Sequence, residues 1–138
     1  MIAYIFSSSE LKLICKILKI NGLAKHQFSN SELSGIEYDK ALQTLMKKEF
    51  IVTRGENIII NSGITVLVET FKTAKHLLIG DIDRIFTAYI STDISVLLIN
   101  DTNSDNFWLY PYENEDKLVD WLHDNNIYAW KDIRLEER

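Results

Sequence analysis

The sequence predicts a mixed α+β protein: a winged-helix-like N-terminal half packed with a small antiparallel sheet and a C-terminal helix. Three observations carry that expectation. Capping-box spacings at Ser7/Glu10 and Ser34/Glu37 open segments whose apolar residues recur at helical intervals. Two runs of β-branched and aromatic residues, 50–53 and 58–60, flank the turn Arg54-Gly55-Glu56-Asn57 as a hairpin would. Beyond about residue 84 the apolar pattern becomes continuous or alternating, as in strands.

Taken in order, residues 1–6 are apolar but lack a basic n-region and a small-residue cleavage site, so they read as a strand or apolar arm rather than a signal peptide. The first helix follows Ser7. Phe6 and Leu11 stand at staple positions, Leu11, Ile14 and Leu18 form its stripe, and Asn21-Gly22 is expected to end it. Residues 29–33 suggest a short helix. A longer one, about 34–48, buries Tyr38, Ala41, Leu42 and Leu45. After the hairpin, a helix is expected from about residue 62 to 78, with Ile64, Leu67, Val68 and Phe71 inward and Gly80 closing it. Strands are expected at 84–90, 94–99 and 107–112, the second covered on both faces. Asn114 caps a helix to about residue 124, whose core face is Leu118, Val119 and Leu122. Residues 127–130 read as a last short strand before a charged tail.

The 138 residues, 46% hydrophobic and 25% charged, suit one domain, 1–138, with a winged-helix-like half at 1–80 and a hairpin-plus-helix half at 81–138. Residues 1–76 sum to +3 and residues 77–138 to −8. The acidic half disfavours nucleic acid and suits a basic or polar protein partner. No apolar run approaches a membrane span, and the single Cys15 has no partner for a disulfide, so a cytoplasmic protein is expected.

Catalytic chemistry finds little footing. His26, His76 and His123 are far apart and form no metal-ligand spacing. Asp101, Asn103 and Asp105 match the start of a calcium loop, but Asn106 stands where its glycine belongs and Tyr112 where its bidentate glutamate belongs. There is no nucleophile elbow and no P-loop, and Cys15 lies in a helical pattern as a buried thiol would. The expectation is therefore a non-enzyme with no cofactor and no metal.

Two binding surfaces remain. Alternation puts Trp108, Tyr110 and Tyr112 on one face of their strand, and Trp121 falls beside the stripe of the last main helix; these four are the candidate partner-binding residues. The winged-helix order makes DNA binding the alternative. The helix at 37–48 would then be the recognition helix, offering Lys40, Gln43, Thr44, Lys47 and Lys48, with Arg54 on the wing. Glu37 and Asp39 oppose it, lying where base contacts usually fall.

The stretches Ser9-Glu10-Leu11-Lys12-Leu13, Ala41-Leu42-Gln43-Thr44-Leu45, Phe50-Ile51 and Gly55-Glu56-Asn57-Ile58, with the helix from Ile64 to Phe71, resemble the EspG-type chaperones of type VII secretion. The later segments 94–100, Phe107-Trp108-Leu109-Tyr110-Pro111 and 118–122 are similar to that family's strand, hairpin and helix sequence. The better-known members are about twice as long, with two related lobes; this chain would supply one lobe or pair with a copy of itself. The resemblance implies a cytosolic chaperone or adaptor of the kind that accompanies secreted helical-hairpin substrates in Gram-positive bacteria. It assigns no binding residues. An immunity protein that neutralises a toxin would carry the same features.

Overall fold

The computed structural model describes residues 3–21, 32–81, 84–92, 94–101, 105–124 and 133–137. Its elements run β1 (Tyr4–Ser7), α1 (Ser8–Ile17), α2 (Gly35–Lys47), β2 (Ile51–Arg54), β3 (Asn57–Ile60), α3 (Ser62–Thr73), β4 (His76–Asp81), β5 (Arg84–Ile90), β6 (Ser95–Asp101), β7 (Asn106–Tyr112), α4 (Glu115–Asp124) and β8 (Ile133–Glu137). The fold is mixed α+β. A six-stranded antiparallel sheet in the order β1-β7-β6-β5-β4-β8 stands beside the separate β2–β3 hairpin.

Both capping boxes form. At α1 the Ser7 hydroxyl accepts the Glu10 N–H at 3.1 Å, and the Glu10 carboxylate accepts the Ser7 N–H at 2.8 Å. Ser34 and Glu37 exchange the same two bonds at α2. Helix α1, however, stops four residues before Asn21. Lys19 takes the left-handed conformation (φ 58°), Lys19 N–H bonds Lys16 O, and Ile20 N–H bonds Cys15 O. Helix α2 ends the same way. Glu49 is left-handed (φ 62°), and Phe50 N–H bonds Leu45 O. These are Schellman ends, and the buried Ile20 and the half-buried Phe50 supply their hydrophobic contact. Gly55 (φ 60°) turns the hairpin.

The second half departs further from expectation. Helix α3 ends at Thr73, Ala74 is extended, and the stretch expected to finish the helix is instead strand β4. Leu77 and Leu78 point to opposite faces and both are buried, Leu77 in the core with the N-terminal helices and Leu78 in the core with α4. Gly80 does not close a helix. It lies in β4 opposite Phe86, and a Cβ there would fall inside that ring. β8 occupies part of what the sequence presents as a charged tail, whereas residues 127–130 lie outside the described residues. Of the short helix suggested at 29–33, only Glu32 and Leu33 are described, and neither is helical.

The sheet is covered on both faces. On one face Phe107, Leu109, Val96, Leu98, Tyr89, Leu77 and Ile79 meet the helices of the N-terminal half, with Phe71 of α3 and Tyr89 4.4 Å apart between ring centroids. On the other, Leu78, Phe86, Ala88, Leu97, Ile99 and Tyr112 pack under Leu118 and Leu122 of α4. The two halves expected to meet near residue 80 are joined through the sheet. β4 spans that position, and β1, from the extreme N-terminal half, pairs with β7.

Candidate protein-binding surface

The α4 face of the sheet is built row by row from cross-strand pairs. Ile5, Trp108, Ile99, Phe86 and Gly80 form one row from β1 to β4, and Tyr110, Leu97, Ala88 and Leu78 the next. Helix α4 begins just after Tyr112, at the β7 end, and its Trp121 ring meets Phe86 of β5 edge-on at 5.4 Å. The helix therefore crosses the face diagonally. It leaves the corner at β1 and β7 less covered: Ile99 is buried at 2%, its neighbour Trp108 is half-buried, and Ile5 beyond it is 43% exposed. Tyr110 and Trp121 are also half-buried.

Of the four sequence-predicted partner residues, Trp108, Tyr110 and Trp121 thus lie on one face and are half-buried. Tyr112 differs. At 6% exposure it is a core residue under α4, and burial, followed by the neighbouring Tyr110 phenol, pushes its hydroxyl up to about 12. The strand places it in register with Trp108 and Tyr110, but it is the position over which α4 starts. Ile5 was not singled out from sequence. The signal was present in its alternation with the buried Phe6.

The alternative DNA-binding residues divide between two situations. Thr44 and Lys48 are engaged internally. Thr44 Oγ1 donates to Glu10 Oε2 at 2.9 Å, and Lys48 Nζ donates to Glu10 Oε1 at 2.8 Å and to Ile5 O at 3.1 Å. The Lys48 ammonium also lies 5.8 Å from the Phe50 ring centroid. Glu10 itself is 2% exposed. Burial alone would raise its pKa, but the Lys48, Ser7 and Thr44 hydrogen bonds outweigh it and hold the carboxyl below its ordinary value. Lys40 joins Thr44 and Lys48 in lining a cleft of about 420 Å³ together with Ser7, Ser9 and Asp105. Gln43, Lys47 and Arg54 are exposed. At the start of α2, Ser34 N–H and hydroxyl hold Glu37 below the usual carboxylate range, so it stays anionic where a phosphate would approach.

Cys15 is buried, which pushes its thiol up to about 12. His76 and His123 are exposed on β4 and α4, while His26 lies outside the described residues. Among the described residues, no group of three or more His, Cys, Asp or Glu side chains is placed to hold a metal ion, and no helix is long and apolar enough to cross a membrane. No protein-family model matches the chain, and no curated protein matches it significantly in sequence.

Proposed function

We propose that the protein is a non-catalytic, protein-binding adaptor or chaperone of the cytoplasm, and that its docking surface is the β1–β7 corner of the sheet beside α4. The observation that carries this reading is the incomplete covering of one row of an otherwise buried sheet face: Ile5 and Trp108 retain exposure where Ile99 and Phe86, their row-mates, have almost none. Aromatic rings held on a rigid sheet lose little side-chain entropy on binding, and burying their remaining surface drives association. The resemblance to EspG-type chaperones extends the proposal to the partner: a type VII secretion substrate whose apolar helical end would be kept soluble on this surface.

The test is co-purification of the tagged protein from its native host. Trp108→Ala with Tyr110→Ala is expected to lose the partner at least about tenfold while circular dichroism and thermal melting show a folded chain, since hot-spot rings contribute about 2 kcal/mol or more each. Undiminished capture by the folded double variant would refute the surface. A mobility shift on duplex DNA at low salt, abolished by Lys47→Glu with Arg54→Glu, would refute the reading as a whole in favour of a regulator.

A further inference from the structure

The two edges of the six-stranded sheet are finished differently. At β1 the outward side is closed. Lys48 Nζ donates to Ile5 O at 3.1 Å, and the Ser7 N–H donates to Glu10 Oε1 at 2.8 Å where the chain turns into α1. A strand arriving there would have to displace both bonds. At the other edge, β8 pairs antiparallel with β4 from Gly80↔Ile133 to His76↔Glu137, and among the described residues no strand lies on its outer side. A strand bonded on one side presents alternate N–H and C=O groups on the other, which is a template for one more strand.

We propose that the added strand is β8 of a second copy: two chains join edge to edge, antiparallel, about a two-fold axis at Leu135. Symmetry and sequence together select that register. In a continuous sheet a residue pairs with one on the same face, so a two-fold perpendicular to the sheet sets one residue opposite its own copy. Centred on Arg134 or Glu136, the pairing sets like charges opposite each other, which destabilises a sheet. Centred on Ile133 or Glu137, it leaves one pair within the strand. Centred on Leu135, it uses all five residues, sets Arg134 of each copy opposite Glu136 of the other, and sets leucine opposite leucine. The dimer joins two six-stranded sheets into one and leaves a β1–β7 corner at each far end, so it does not depend on that corner being a docking surface.

Sedimentation velocity on the full chain tests this. The wild-type chain is expected to pass from monomer to dimer as its concentration rises through the micromolar range, as a small strand-pair interface does. Arg134→Glu and Glu136→Arg should each weaken self-association at least about tenfold. An equimolar mixture of the two variants should regain the wild-type affinity as a heterodimer, because unlike charges again stand opposite. Amide exchange reads the same edge without any substitution: peptides covering β8 gain protection with concentration, and peptides covering β1 do not. A wild-type chain that stays monomeric, or a dimer whose β8 exchange ignores concentration, overturns the proposal. So does a mixture of the folded variants that associates no better than either alone. Should circular dichroism show either variant unfolded, the exchange result decides.

Discussion

Glu10 joins three elements of the fold through its hydrogen bonds. It closes the capping box of α1, anchors Thr44 of α2 and, through Lys48, reaches the Ile5 carbonyl on edge strand β1. A lysine on that edge also discourages unwanted strand pairing. Because Lys48 is the cation paired with the buried Glu10 carboxylate, Lys48→Ala would leave a buried charge without its counter-ion. A loss of about 2–4 kcal/mol in urea unfolding is expected. The pH dependence follows from the lowered pKa. A carboxyl whose folded pKa is depressed stabilises the fold above its unfolded value and loses that contribution as pH falls through the folded one. Stability should therefore decline below about pH 4.5, and Glu10→Gln should flatten that decline while lowering stability at neutral pH. At Cys15, the raised pKa and burial predict no labelling by a thiol reagent until the chain unfolds. The sequence identified the Ser7/Glu10 box from spacing alone. It could not show that Thr44 and Lys48 converge on the same carboxylate, because that depends on how α2 crosses α1.

At the scale of elements, local signals were legible wherever a residue's own chemistry dictates the backbone. Both capping boxes, the Gly55 turn and the Asn114 cap, whose Oδ1 accepts the Lys117 N–H at 3.0 Å, formed where spacing placed them. Helix C-termini were not legible, because Lys19 and Glu49 occupy left-handed positions that glycine usually fills. Lys19→Gly and Glu49→Gly should each stabilise the protein by about 0.5–1 kcal/mol, measured as a higher melting temperature. β4 was hidden for a different reason. Leu77 and Leu78 continue the apolar spacing of α3, with no proline or glycine between, and only pairing with β5 and β8 makes them a strand. Gly80 then serves as the space for the Phe86 ring. Gly80→Val should cost about 2 kcal/mol or more in chemical unfolding, as overpacking does, whereas a helix-terminating glycine would show a smaller penalty.

For the molecule as a whole, the N-terminal half is a lid on one face of a sheet that draws β1 and β4 from that same half, so neither half has a complete core alone. That interleaving was invisible in a sequence read as two consecutive units. The functional reading depends on the opposite face, where α4 covers the Tyr112 end of β7 but leaves Trp108 half-buried and Ile5 of β1 exposed. Of the four aromatic positions chosen by strand and helix periodicity, Trp108, Tyr110 and Trp121 are half-buried on this face. The fourth, Tyr112, was lost to the start of α4, a tertiary contact that alternation cannot reveal.

The most direct measurement is site-specific photo-cross-linking in the native host, with a photoreactive phenylalanine at position 108 and, as control, at the more exposed Ile59 of the hairpin. The account predicts one discrete protein adduct from position 108, lost on Tyr110→Ala, and none from position 59. No adduct at position 108, or the same adducts from both positions, would contradict it.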